Sequence, residues 1–323
     1  MDEIGFQQRV KRVTEKDTVT VTIAICTHNR AGLLRECLSA LKKQLAEFPS
    51  FQVLVVDNGC TDETQQVMGE FAGQFSNWLG VKEKKLGLSH ARNRALDCAD
   101  GDWVAFLDDD ARVLPGYASC LEGLVRNDEF DCVGGVYLPW YQQGRRNWFR
   151  DSYASNKETI QIFGELPAGR NASGGNCLFK KRVALAAGGF NASLGMVGRR
   201  RVFGEETRLQ IEMRRRGARI GGNPDWLVEH LVPISKQSIT KILALAWRVG
   251  RDHWVSFDEH PTGKLIIGRI RRLVTRPLVG LYQESGCDAP RYWQNIVLAF
   301  AKPLVMTLGE LVEAVRLRLV SQD

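Results

Sequence analysis

The chain has 323 residues, of which 44% are apolar and 25% charged, an ordinary balance for a soluble globular protein with one large domain or two smaller ones. Forty-four Lys and Arg against 37 Asp and Glu leave a formal charge of +7, which favours an anionic substrate or an anionic membrane surface and is too small to argue for nucleic acid. Eight cysteines without a CxxC pair or a nearby His cluster speak against zinc and suit a reducing, cytoplasmic compartment.

The first twenty residues read as a polar tail carrying both signs of charge, with no apolar signal segment. Strands and helices then alternate. VTIAIC (21–26) has the β-branched apolar signature of a buried strand and runs into the loop THNRAG. Leu33, Leu34, Cys37, Leu38 and Leu41 recur at helical spacing. FQVLVV (51–56) is a second strand and ends in Asp57, Asn58 and Gly59. A polar helix over 62–76, a short strand near 79–83 and a helix over 89–99 follow. WVAFL (103–107) is a further strand, and it delivers Asp108, Asp109 and Asp110 to one point. Pro115 opens another helix, where its missing N–H costs nothing, and CVGGVYL (132–138) is a strand.

Residues 140–175 are irregular. NCLFK (176–180) and VALAAGG (183–189) read as strand and helix, and a helix over 205–216 is stopped by Gly217. Beyond about 236 only helices are predicted, with Pro277 and Pro303 as breaks. No run of about 18 uninterrupted apolar residues occurs, so no spanning helix is predicted.

The β-α-β-α-β rhythm predicts an α/β fold, a Rossmann-like, mostly parallel sheet flanked by helices with a C-terminal helical extension. Ligands of such sheets bind beyond the carboxyl ends of the strands. Residues 27–30, 57–62 and 108–110 all lie at such ends and should converge on one crevice.

Three adjacent carboxylates repel one another, and a divalent cation relieves that repulsion. Side chains alternate along extended backbone, so Asp108 and Asp110 should point one way and Asp109 the other. Two oxygen ligands with open positions suit Mg²⁺ or Mn²⁺ shared with a phosphate. A solvated turn explains the same three residues, and the position at the end of a buried strand favours the metal.

In order and spacing, VTIAICTHNR, VLVVDNGCTDET, GLSHARNRAL, WVAFLDDD, ASGGNCLFKK with GGF, and FGEETRL together resemble the inverting family 2 glycosyltransferases of GT-A fold. The resemblance covers about residues 21–235. It implies a catalytic domain over that span, with a nucleotide-binding half to about 112 and an acceptor half from 113, followed by a helical region over 236–323. It further implies that Thr27, Asn29 and Arg30 line the nucleotide end of the crevice, and that Asp57 accepts a hydrogen bond from uracil or thymine. Arg92 and Asn93 contact the nucleotide or brace the aspartates. Asp108 and Asp110 form the DxD pair that holds metal and donor, with Asp109 counted among the donor-binding residues. His230 falls where relatives place a further metal ligand. The family's acidic motif usually reads Glu-Asp, whereas here it is Glu205-Glu206. Glu206 falls on the position of the catalytic base, one methylene longer than aspartate.

The implied donor is a UDP- or dTDP-linked sugar, and the implied acceptor a glycan or lipid-linked hydroxyl, in polysaccharide synthesis. Structural readings stand beside these. Glu205 and Glu206 complement a helix dipole at its start, as Arg214, Arg215 and Arg216 do at its end. Gly174-Gly175-Asn176 either brings backbone close to a sugar or makes a plain turn, and Arg199, Arg200 and Arg201 reach an anion or form a solvated loop. Segment 264–282, with Ile266, Ile270, Leu273 and Val274 on one face and Arg269, Arg272 and Arg276 on another, can lie on an anionic bilayer or pack its apolar stripe inward with its arginines in water. Residues 304–319 form a second amphipathic helix with Pro303 in its first turn. Competing functions are a sugar-nucleotide pyrophosphorylase, whose Gly-rich basic loop CTHNRAG does not resemble, and a non-catalytic binding protein on the same fold.

Overall fold

The structure, a computed structural model, describes residues 8–11, 21–197, 200–285, 290 and 292–320. In chain order the strands and helices are β1 (Gln8–Lys11), β2 (Val21–Thr27), α1 (Ala31–Leu45), β3 (Gln52–Asp57), α2 (Thr64–Ala72), β4 (Asn77–Lys82), α3 (Leu88–Cys98), β5 (Trp103–Leu107), β6 (Ala111–Val113), α4 (Tyr117–Asn127), β7 (Cys132–Trp140), β8 (Gly164–Glu165), β9 (Asn176–Lys180), α5 (Lys181–Ala186), β10 (Gly195–Val197), β11 (Arg200–Val202), α6 (Glu205–Arg215), β12 (Ile220–Leu231), α7 (Ile239–Ser256), α8 (Gly263–Ser285) and α9 (Trp293–Val320). They fall into two compact units. A sheet unit takes residues 1–140, 155–201 and 205–231, and a helical unit takes 141–154, 202–204 and 232–323.

In the sheet unit the strand order is β1-β4-β3-β2-β5-β9-β7-β12-β6, with β8 beside β12. The run β4-β3-β2-β5 is parallel. β9 then enters antiparallel to both β5 and β7, and β12 pairs parallel with β7 and antiparallel with β6. The apolar runs are nearly continuous because helices cover both faces. Val53 and Val55 of β3 join the core under α1, α2 and α4, while Leu54 and Val56 join the core under α3 and α6.

Four sequence expectations change. Pro115 lies two residues ahead of α4, and Gly116, in the left-handed region at φ 85°, is the residue that caps it. The whole of β12 goes unread in the sequence, because Gly221, Gly222 and Pro224 interrupt its apolar pattern and its register with β7 shifts between Asn223 and Leu227. Residues 8–11, inside the expected tail, form an edge strand on β4. Residues 200–202 pair as a strand with 195–197 rather than forming an open loop, while Arg199 lies outside the described residues.

In the helical unit, α7 and α8 both pack on α9. Pro277 and Pro303 lie inside α8 and α9 and do not end them. The helix around Pro303 is tied by Thr307 Oγ1, which donates to the Pro303 carbonyl at 2.9 Å. Backbones approach closely where side chains are smallest: a Cβ on Gly250 would fall 1.9 Å from the Met306 carbonyl oxygen, and one on Gly280 would fall 2.1 Å from that of Ala299. Trp293–Leu319 of α9 is long and apolar enough to cross a membrane by length and composition alone; the expectation of none rested on uninterrupted runs, and here Lys302, Glu310 and Glu313 are spread along the helix.

In the stripe of α8 read from the sequence, Ile270 and Val274 are exposed and Ile266 and Leu273 half-buried; with Ile267, Leu278 and Tyr282 they leave an exposed apolar face, while Arg269 is buried and Arg272 and Arg276 are half-buried. In α9, Val297, Phe300, Leu308, Val312, Val315 and Leu319 are exposed, while Asn295, Thr307 and Glu310 are buried.

Candidate active site

β5 ends at Leu107, and the three aspartates turn the chain into β6. β6 pairs with β12 so that Ala111 lies opposite His230, and Leu231 N donates to the Asp110 carbonyl at 3.0 Å. That register swings the imidazole onto the aspartates. His230 Nε2 lies 3.0 Å from Asp110 Oδ1 and 3.6 Å from Asp108 Oδ2. Ligand atoms of Asp108, Asp110 and His230 all fall within 4.8 Å of one another. Burial alone would lower the imidazole pKa, but the hydrogen bonds and charges of Asp108 and Asp110 outweigh it and hold it up at about 10. Two carboxylate oxygens and one imidazole nitrogen, which would give up its proton to a cation that takes over the charge of the aspartates, form a donor set that fits Mn²⁺ or Mg²⁺, with positions left for phosphate oxygens.

Asp109 takes other partners, set by the turn that Ala111 N closes on the Asp108 carbonyl at 3.1 Å rather than by strand alternation. Thr27 Oγ1 donates to its Oδ2 at 2.8 Å and Arg30 Nη1 to its Oδ1 at 2.9 Å. The same Arg30 nitrogen reaches Asp110 Oδ2 at 3.2 Å. Burial pushes the Asp109 carboxyl up to about 6, with Arg30 opposing and Asp110 adding to the rise. Thr27 and Arg30, placed at the nucleotide end by the family pattern, therefore also hold the aspartate turn in shape.

Arg92 is the brace on the opposite side. Its buried guanidinium donates to Glu205 Oε1 at 2.8 Å and to the Gly174 carbonyl at 3.1 Å, and reaches Asp108 Oδ1 at 3.5 Å. The rings of Phe106 and Phe190 lie 5.7 and 5.5 Å from it, at cation–π range. Two glycines make this possible. A Cβ on Gly174 would sit 2.7 Å from the guanidinium, and one on Gly175 would sit 2.4 Å from Asp108 Oδ2. The Gly-Gly pair makes room for charged side chains, a role that the sequence pattern alone does not reveal.

Glu205 and Glu206 both begin α6, where the helix N-terminus favours negative charge. Glu205 is buried, and burial, then Glu206, push its carboxyl up to about 7 against the pull of Arg92. Glu206 is half-buried. The Tyr137 hydroxyl is raised by burial, then by Glu206 and by Asp108, which puts the Glu206 and Asp108 carboxylates in one electrostatic neighbourhood.

At the nucleotide end, two loops are stitched together. Asn29, at φ 53°, accepts from Thr61 N at 2.7 Å, and His28 Nδ1 lies 2.7 Å from the Asn58 carbonyl. Asp62 accepts from Ala31 N at 2.9 Å and so caps α1 from the neighbouring loop. Asp57 is buried, and its carboxylate accepts from Cys60 N at 2.7 Å and from Gln65 Nε2. Asn93 clamps the Phe190 backbone through both ends of its amide, at 2.7 and 2.8 Å; bracing of the aspartates falls to Arg92. The Arg92–Glu205 pair is the functional contact missed in the sequence, since it joins residues 113 positions apart.

Comparison with known proteins gives a consistent picture. The family described as "Glycosyl transferase family 2" matches residues 22–186. The chain is 25% identical over 308 residues to a glucosyl-dolichyl phosphate glucuronosyltransferase of Haloferax volcanii, covering 94% of this chain and 90% of that one. It is 26% identical over 239 residues to the succinoglycan biosynthesis protein ExoM of Rhizobium meliloti, covering 73% and 75%. Among solved structures, the mannosyltransferase PcManGT of Pyrobaculum calidifontis, in complex with GDP-Man and Mn²⁺, superposes with a TM-score of 0.55 at 20% identity over 94% of this chain and 74% of that one. Residues 1–349 of S. aureus TarS with UDP-GlcNAc superpose with a TM-score of 0.54 at 14% identity over 93% and 92%. The two structural likenesses bear on the fold, a GT-A type.

Proposed function

Because the chain belongs to glycosyl transferase family 2 and is a glycosyltransferase, we propose that it moves a sugar, with inversion, from a nucleotide-diphosphate donor to the hydroxyl of a glycan or lipid-linked acceptor. The observation that carries this reading is the convergence of Asp108, Asp110 and His230 on one point at the end of β5. Asp108, Asp110 and His230 would hold Mn²⁺ or Mg²⁺, which would supply Lewis-acid neutralisation of the leaving diphosphate.

The chain's own groups do the rest. Arg92 keeps Asp108 in place, and Thr27 and Arg30 fix the turn that presents Asp110. Asn29 and Asp57 hold the loops that receive the nucleotide, with Asp57 facing its base. Glu206 takes the proton of the acceptor hydroxyl. The acceptor oxygen bonds to the anomeric carbon as the bond from that carbon to the phosphate oxygen breaks, and the electron pair leaves with the nucleoside diphosphate. One displacement inverts the centre and needs no protein nucleophile.

UDP- or dTDP-linked sugars are the proposed donors. A UDP-GlcNAc and a GDP-mannose complex among the fold neighbours add those donors to the set worth testing. A role in cell-surface polysaccharide or lipid-linked glycan assembly is supported by the names of the Rhizobium and Haloferax relatives. The proposed location is the cytoplasm, peripherally at the inner face of the membrane. Membership of the family favours transfer over nucleotide-sugar synthesis, and a chain that keeps both Glu206 and the metal-binding set does not fit the non-catalytic alternative.

A screen of UDP-, dTDP- and GDP-sugars for nucleoside diphosphate release, with Mn²⁺ and with chelator, tests the reading. Release that requires the cation is expected. Release indifferent to chelation would overturn the metal role, and silence across all donors would overturn the donor class.

A further inference from the structure

We propose that the outer face of α8 and α9 docks on an anionic phospholipid surface, lying in its interface rather than crossing it. This deepens the peripheral location proposed above and does not depend on the transfer chemistry.

A helix packed in water buries its apolar stripe and leaves charge outside. On α8 and α9 much of the apolar surface stays outside and part of the charge goes inside. Val274 is 65% exposed and Val315 56%, whereas Arg269 is 6% exposed and Glu310 3%. The interior polar groups are paired by charge: Arg269 forms an ion pair with Glu310, Arg276 Nη1 reaches Glu310 Oε1 at 3.4 Å and Thr307 Oγ1 at 3.3 Å, and Arg269 Nη2 lies 2.6 Å from His253 Nε2. Along α8 the exposed apolar side chains recur at spacings of three and four; along α9 they do so on either side of the half-buried Leu304, which lies four residues from both Phe300 and Leu308. Exposed apolar stripes of this kind mark a partner or a membrane, and paired charge inside with apolar side chains outside is the arrangement that a lipid environment selects. The glycines that bring α7, α8 and α9 backbones together on α9 are likewise of the kind that pack helices where water does not drive association.

Charge decides the occupant. Residues 141–154, 202–204 and 232–323 hold sixteen Lys and Arg against nine Asp and Glu, whereas the rest of the chain holds twenty-eight of each. The entire surplus of seven therefore lies in the helical unit. A unit with that surplus attracts anionic headgroups and repels a second copy of itself. Lys264 and Arg271 are exposed alongside the α8 stripe, and Lys302 interrupts α9 near its middle. A spanning helix would have to carry Lys302 through hydrocarbon, whereas an interfacial one leaves it among headgroups.

The test is flotation of the full chain with vesicles of phosphatidylcholine containing phosphatidylglycerol, against pure phosphatidylcholine, at low and high salt. The double variant Val274→Ser/Leu278→Ser and the separate variant Val312→Ser/Val315→Ser are floated in parallel, and nucleoside diphosphate release reports that each remains folded. Co-flotation with anionic vesicles that weakens in high salt and drops about tenfold or more in each variant, with release intact, is the expected result. Absence of wild-type flotation at low salt, flotation unchanged in both variants, retention after alkaline carbonate extraction, or a lipid-independent dimer broken by the same substitutions would each overturn the proposal. Loss of release without loss of flotation would strike the catalytic reading alone.

Discussion

The sheet unit and the helical unit place their charged groups in different ways. In the first, both faces of the sheet are filled with Val, Leu, Ile and Phe, and the charged groups gather at the carboxyl ends of the strands, where the aspartate turn, Arg30, Arg92 and His230 neutralise one another. In the second, a small apolar core around Phe149, Val232, Ile242 and Leu298 is accompanied inside by Arg269 and Glu310, while apolar stripes of α8 and α9 stay exposed. The charged groups of the sheet unit are concentrated because a reaction needs them at one point. In the helical unit the exposed stripes are the proposed lipid-facing surface, and Arg269 meets Glu310 behind them.

Experiments can break or sharpen that contrast. The largest effect should follow Asp110→Ala, which removes the ligand that both His230 and Arg30 contact: transfer should fall on the order of a thousandfold or more with the circular dichroism spectrum retained. Near wild-type nucleoside diphosphate release would sever the charged rim from catalysis. Glu206→Gln, which keeps shape and loses basicity, should cost about 10²–10⁴-fold in turnover with little change in donor affinity. In the helical unit, Glu310→Leu should destabilise by about 3–5 kcal/mol, because Arg269 is left buried without its carboxylate; an unchanged melting temperature in thermal denaturation would show that the interior pair is not holding that unit together.

Smaller effects probe geometry and protonation. Gly175→Ala should weaken Mn²⁺ binding about 10–100-fold by pushing Asp108 aside, read by isothermal titration, without lowering the melting temperature as Glu310→Leu does. The smallest change concerns Glu205. Its folded pKa, about 7, lies above the ordinary 4.5, so the folded state holds the proton more tightly. Stability from this group is full below about 4.5 and is lost as pH rises through 7. Metal-free Glu205→Gln should therefore show a shallower decline in melting temperature over that window than wild type, and parallel curves would count against a buried, protonatable Glu205.

Much of the sheet unit is legible in the sequence because its signals are local. A buried parallel strand is an apolar run whatever its neighbours, and 21–26, 51–56, 103–107 and 176–180 all fall on strands. Strand alternation predicts the grouping of Asp108 with Asp110, but it is made by a turn at 108–111 and by the pairing of β6 with β12. What stays hidden is set by long-range register. β12 looks like a Gly- and Pro-broken loop until β7 pairs with it, and Gly174 and Gly175 look like a turn until Arg92 and Asp108 occupy the space where a side chain would be. The helical unit misleads for another reason. Amphipathic periodicity shows that α8 has two faces and cannot show which one is turned inward, and Pro277 and Pro303 break a helix in isolation but are tolerated where neighbouring helices hold it in place.

The cross-links between the loops that follow β2 and β3 bear on donor choice. Asn29 to Thr61, His28 to Asn58 and Asp62 to the first amide of α1 fasten two separate chain segments into one ledge. The freedom of those segments is lost when the protein folds and not when a nucleotide arrives, so binding carries little ordering penalty there. At the proposed donor site, preference among donors would then rest on how each base and sugar fits a surface that is already set, and an insertion in either loop would misplace both.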